Sequence, residues 1–248
     1  MEATRRDFLR RSVALFGASG ILCKNLESTA SSSPATSARY QLSCQTLPYR
    51  SFPLQRALQG IRDAGYRYVM PYSTHAGQPA FSPALSADDR SALKKMLADH
   101  GLTAHMSFVG LGMDVKSEKG QTEYKKELDL FREFEIKTVV GIGPWYFKKF
   151  PDQPRPADEW ERECALFYKA LEKLVPHAEQ LGIIIALKPH TGITATAKAC
   201  LQVVKRIVSD NLKICWDAGN VSFYEGINPD PDFPALAPHV RAVCIKDH

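Results

Sequence analysis

The chain has 248 residues, of which 44% are hydrophobic and 24% charged, so one large globular α/β domain is expected rather than two small ones. Its formal net charge of +5 is modest, and the basic residues are scattered. Lys125-Lys126 and Lys148-Lys149 read as solvated faces, so nucleic acid is not favoured as a partner.

The first residues do not read as fold. Thr4-Arg5-Arg6-Asp7-Phe8-Leu9-Arg10 resembles the twin-arginine export motif, and the apolar stretch from Val13 to Leu22 is too short to span a bilayer as a mature helix. A Ser/Thr/Ala-rich segment follows, with small residues suited to cleavage near Ala30 or Ala38. Residues 1–38 are therefore expected to be a signal peptide and linker, and residues 39–248 the fold. Such a signal implies export in the folded state to a periplasmic or other extracytoplasmic place, with no stable membrane span left after its removal. Cys23 follows Leu22, too large for the usual lipoprotein anchor. Beyond the signal lie Cys44, Cys164, Cys200, Cys215 and Cys244. Their odd number and the absence of a CxxC pair argue for buried thiols rather than a disulfide framework.

From Tyr40 onward, strand, loop and amphipathic helix recur in turn. Gln41–Gln45 reads as strand one and Leu54–Ala64 as its helix; Tyr66–Met70 as strand two, with a long loop before the helix Ala87–His100. Leu102–Phe108 reads as strand three, Thr122–Phe134 as a helix, and Ile136–Ile142 as strand four. The proline-rich, aromatic loop Pro144–Pro156 leads into the helix Asp158–Leu181. Strand five lies in Ile183–Gly192, followed by the helix Thr196–Val208; Leu212–Trp216 is strand six and Val240–Ile245 strand seven. Gly65, Gly101 and Gly182 each follow a helix, where a left-handed cap costs little only for glycine. Regular alternation with no Gly-x-Gly-x-x-Gly loop after strand one favours a (β/α)8 TIM barrel over a dinucleotide-binding sheet. With seven strands in the sequence, the barrel reads as truncated after strand seven.

Barrel chemistry sits at the C-terminal ends of the strands. In strand five, period-two alternation puts Ala186, Lys188 and His190 on one side; in strand six it groups Cys215 with Asp217; in strand seven, Cys244, Lys246 and His248. Strand three offers His105 and Ser107 on one face. Trp145, Tyr146 and Phe147 after strand four present aromatic faces suited to a carbohydrate ring. His105 also reads as a packed core histidine, and Asn220 as a brace of its own loop.

Ala186-Leu187-Lys188-Pro189-His190-Thr191-Gly192, Trp216-Asp217-Ala218-Gly219-Asn220 and Ile245-Lys246-Asp247 resemble consecutive strand ends of the xylose-isomerase-like TIM barrels, which include the sugar phosphate isomerases and epimerases. The resemblance runs from about Tyr40 to the C-terminus. It implies a divalent metal held by a Glu on strand five, an Asp on strand six, a His on strand seven and a Glu on strand eight. Asp217 matches the strand-six ligand, whereas Lys188 stands at the strand-five Glu position and Cys244 at the strand-seven His position. A lysine ammonium at that place repels a divalent ion, so a metal cofactor is disfavoured and Asp217 is its one matching ligand.

The expected function is an exported isomerase or epimerase that moves a proton next to the carbonyl of a small-molecule carbohydrate. Lys188, His190 and Asp217 would form the catalytic centre, and Lys246, Asn220, His105 and Trp145 would bind substrate. A lyase acting on oxidised glycosides and a catalytically silent carbohydrate-binding barrel are the alternatives; a metal-dependent endonuclease would need a denser His/Glu cluster and a basic groove. The sequence leaves the oligomeric state undetermined.

Overall fold

The computed structural model describes residues 40–111, 113–146, 155–229 and 231–245. The expected signal segment, Phe147, Lys246, Asp247 and His248 lie outside the described residues. The elements given below all fall in the compact unit Gln41–His248.

Short apolar runs alternate with amphipathic helices as the periodicity requires. In chain order they are β1 (Ser43–Gln45), α1 (Leu54–Asp63), β2 (Tyr68–Met70), the small hairpin β3 (Thr74–His75) and β4 (Gln78–Pro79), α2 (Ala87–Asp99), β5 (Thr103–Ala104) and β6 (Met106–Phe108). They continue with α3 (Glu118–Glu133), β7 (Thr138–Gly141), α4 (Ala157–Leu181), β8 (Ile184–Leu187), α5 (Ala197–Arg206), β9 (Leu212–Trp216) and β10 (Val240–Val243). β1, β2 and β5 pair in that order, and β6, β7, β8, β9 and β10 pair in theirs, all in parallel. With β5 and β6 as the two halves of the third strand, seven barrel strands stand side by side in chain order. A right-handed β-α-β winding produces that order.

Two apolar layers hold this arrangement. Between sheet and helices lie fully buried residues such as Leu58, Leu128, Leu174, Ile185, Leu187 and Ile214. Inside the barrel, Val140, Ala186 and Cys215 pack with Met70, Met106, Phe108, Ala242 and Cys244. Alternation along β8 therefore sends Ile185 and Leu187 outward and Ala186 inward, and both sets are out of water. Each fully buried Leu or Ile contributes about 1.5–3 kcal/mol.

Three readings from the sequence are corrected. The third strand is not continuous, because Ala104 packs outward and Met106 inward, two positions apart. Strict alternation fails at His105, so His105 and Ser107 do not share a regular face. The helix before β7 begins at Glu118 rather than Thr122: Ser117 caps it by accepting from the Gly120 N–H. Glycine is required there, since a Cβ on residue 120 would lie 2.0 Å from the Asp114 carbonyl oxygen. The long loop after β2 folds into the β3–β4 hairpin, tied down by buried His75, whose Nε2 lies 2.8 Å from Thr46 Oγ1 and Nδ1 3.0 Å from the Phe52 carbonyl oxygen.

Candidate active site at the strand ends

β8 ends at Leu187, yet the Lys188 N–H still donates to the Gly141 carbonyl at 2.8 Å, extending the β7–β8 ladder by one residue. This holds Lys188 on the inward register of Ala186. Its ammonium reaches Asp217 Oδ2 at 3.2 Å, with the lysine side chain 12% exposed and the aspartate 0%. The Phe108 ring lies below Nζ, 5.9 Å from it to the centroid. Asp217 is fixed by its other oxygen: Oδ1 accepts from the Asn220 N–H at 2.9 Å, capping the turn Ala218–Asn220. Asn220 in turn donates from Nδ2 to the Pro189 carbonyl at 2.5 Å, and Thr194 Oγ1 donates to the Lys188 carbonyl at 3.2 Å. The fifth and sixth strand ends are thus joined by an ion pair and a side-chain hydrogen bond.

Above this pair the chain turns sharply. Thr191 is buried with φ 65°, a strained value for a β-branched residue, and its hydroxyl donates to the Tyr146 carbonyl at 3.1 Å. At Gly192, with φ +60°, a Cβ would fall 2.3 Å from the Pro144 carbonyl oxygen. This close approach fastens the strand-four loop to the end of strand five and sets Trp145 edge-on to His190, 5.0 Å between ring centroids. On its other side His190 meets Tyr224 at 5.1 Å. Tyr224 comes from Val221–Glu225, a single π-type turn after β9.

The structure therefore brings Lys188, His190, Asp217, Asn220 and Trp145 to neighbouring strand ends. His105 is placed elsewhere. It directly precedes Met106, which is in register with Thr138 and, through it, with Ile184, four residues below Lys188. Its ring packs on Tyr68 at 5.1 Å, and burial, together with the nearby Arg241 guanidinium, pushes its pKa down. It is a packed histidine on the N-terminal side of the barrel, not a neighbour of the Lys188–Asp217 pair. Lys246 lies outside the described residues.

Phe108, Tyr224, Thr191 and Glu127 were missed from the sequence. Phe108 had a usable signal, since it shares the inward register of Met106. Glu127 had none, because it sits on the helix α3 among charged residues. Its carboxylate accepts from the Gly110 N–H at 2.7 Å, and burial pushes its pKa up to about 7.

A divalent ion does not fit the described strand ends. The Asp217 carboxylate already faces an ammonium at 3.2 Å. At about 4 Å and an effective dielectric of about 20, a divalent ion would be repelled by Lys188 by about 8 kcal/mol. Cys215 Sγ lies 3.6 Å from Cys244 Sγ, and this contact together with burial pushes the Cys215 thiol up, leaving it neutral. Among the described residues no group of three or more His, Cys, Asp or Glu side chains is placed to hold a metal. No described helix is long and apolar enough to cross a membrane.

This architecture has known counterparts. A xylose isomerase-like TIM barrel protein from Mycobacterium smegmatis in complex with magnesium superposes with a TM-score of 0.66 at 16% identity, over 84% of this chain and 74% of that one. The 3-keto-D-glucoside 4-epimerase of E. coli superposes with a TM-score of 0.63 at 15% identity, over 84% and 80%. A D-psicose 3-epimerase determined in the presence of D-fructose gives 0.62 at 16% identity, over 81% and 71%. No curated protein sequence matches the chain. Residues 58–248 match the family described as Xylose isomerase-like TIM barrel, and the chain belongs to that family.

Proposed function

We propose that the chain is a sugar isomerase or epimerase that transfers a proton next to a carbonyl, with Lys188 supplying the positive charge that a metal would otherwise provide. The observation that carries this reading is the Lys188–Asp217 pair at the C-terminal tips of adjacent strands, beneath His190 and Trp145. Membership in the family supports the fold, and the similarity to proteins described as epimerases supports the substrate class.

Lys188 donates a hydrogen bond to the substrate carbonyl oxygen and stabilises the negative charge that grows there as the enediolate forms. Asp217 holds the ammonium in place through their ion pair. His190, held between two aromatic rings, takes the proton from the carbon beside the carbonyl. When the proton of the neighbouring hydroxyl passes to the former carbonyl oxygen, return of the carbon-bound proton from His190 to the former carbonyl carbon completes an isomerisation. Delivery of a proton by water to the original carbon from its opposite face, with His190 giving its proton back to solvent, completes an epimerisation. Asn220 holds the Lys188–Pro189 backbone, Trp145 offers a face to the sugar ring, and Lys246 assists its orientation. The Arg5-Arg6 motif directs the protein out of the cytoplasm, which a reporter fused after Ala38 and its Arg5→Lys/Arg6→Lys variant would test.

The reaction is tested by incubating the purified protein with a panel of ketoses and keto-glycosides and following carbon-13 NMR. Interconversion of isomers or epimers is expected. An unsaturated sugar released with a free alcohol would assign a lyase instead, and saturable binding with no chemical change would assign a silent carbohydrate-binding barrel.

A further inference from the structure

The loops after β6 and β7 line a cavity of about 480 Å³, within the range of small-molecule sites. Among the described residues its apolar walls come from Leu111, Met113 and Val115 in the loop after β6 and from Trp145 and Tyr146 in the loop after β7. Trp145 belongs to both places. Its ring meets His190 at 5.0 Å, and it also lines the cavity.

The polar wall is charged but balanced. Lys116 Nζ pairs with Glu163 Oε1 at 2.8 Å and with Asp114 Oδ1 at 3.5 Å, and Arg155 pairs with the other Glu163 oxygen. Two cations face two carboxylates, so a phosphate or carboxylate gains no net attraction there, while hydroxyl groups find both donors and acceptors. Aromatic side chains together with polar groups of balanced charge suit a sugar ring, which has apolar C–H faces and a polar rim.

We propose that this cavity is a second subsite that takes a neutral second ring, so that the natural substrate is a glycoside or disaccharide rather than a free monosaccharide or a sugar phosphate. The proposal rests on the reading of Lys188, His190 and Asp217 as the reacting centre, because that centre fixes which ring reacts and which ring fills the cavity.

The experiment is isothermal titration of the full chain with matched pairs: D-glucose with cellobiose and maltose, D-galactose with lactose, D-fructose with palatinose, and the 6-phosphates of glucose and fructose. At least one disaccharide is expected to bind about tenfold more tightly than its own monosaccharide, the return from one stacked ring and its hydrogen bonds. Met113→Trp, which fills the cavity without touching Lys188, is expected to bring that disaccharide to within about twofold of the monosaccharide and to leave the monosaccharide unchanged. Leu111→Trp serves the same end should Met113→Trp fail to show a cooperative melt. The subsite is overturned by disaccharides that never exceed their monosaccharides, by a preference that survives the filling substitution, by tighter binding of a phosphate ester, or by no sugar binding at all. Deuterium exchange without any disaccharide preference would remove the subsite and keep the proposed reaction. A disaccharide preference abolished by Met113→Trp, without exchange or interconversion, would keep the subsite and remove the reaction.

Discussion

Replacing Lys188 with methionine removes the ammonium and keeps most of the aliphatic stem. Unit charges 3.2 Å apart in an effective dielectric of about 20 attract by about 5 kcal/mol, and much of that offsets the desolvation of two buried groups. The loss on breaking the pair is larger than its net worth, because the 0% exposed Asp217 carboxylate loses the Lys188 ammonium while remaining buried. Lys188→Met is therefore expected to cost about 3–5 kcal/mol of stability. For a domain of this size that lowers Tm by about 6–20 °C. Asp217→Asn strands the ammonium in the same way but retains an acceptor for the Asn220 N–H, so its cost reports the charge rather than the cap. The double variant Lys188→Met/Asp217→Asn is expected to be more stable than the sum of the single losses predicts, by about 2 kcal/mol or more. Urea unfolding followed by circular dichroism measures all three. A cost below about 1 kcal/mol for Lys188→Met, or strictly additive losses, would refute the buried pair.

Further perturbations test the surrounding structure. The Glu127 pKa is raised from 4.5 to about 7, so the folded state binds the proton more tightly than the unfolded state does; stability falls as pH rises through this window, by about 3 kcal/mol in full, and Glu127→Gln is expected to remove that slope between pH 5 and pH 8 in urea titrations. Gly192→Ala places a Cβ 2.3 Å from the Pro144 oxygen at a left-handed φ, and a loss of about 2–3 kcal/mol is expected in thermal melts, with a weaker sugar-dependent change in tryptophan fluorescence as Trp145 leaves His190. Asn220→Ala leaves the Pro189 carbonyl without its amide donor, for an expected loss of about 1–3 kcal/mol, read by the same melts.

The barrel was legible because its signal is periodic and repeated. Fully apolar runs such as Ile183–Leu187 and Leu212–Trp216 have one stable place, between helices and a barrel interior, and the family match over residues 58–248 agrees with that reading. Lys188 and Asp217 were legible for a related reason: polar residues that end abruptly apolar strands must meet at the same rim, and a cation and an anion placed there pair. His105 shows where such reasoning fails. Its place on a face depends on strict alternation, and a break between Ala104 and Met106 leaves no trace in residue type. Contacts made by loops were hidden as well. Tyr224 reaches His190 only through the π-type turn at Val221–Glu225, and the cavity beside Trp145 forms between loops whose paths depend on tertiary packing.

The central claim is that Lys188 supplies the charge for proton transfer. Its most direct test is the incorporation of deuterium from D2O at the carbon beside the substrate carbonyl, measured by NMR for the wild type, Lys188→Met and Lys188→Arg. The account predicts exchange in the wild type, a loss of about a hundredfold or more in Lys188→Met, and partial retention in Lys188→Arg, in which a fixed cation remains. Undiminished exchange in a folded Lys188→Met variant would contradict it.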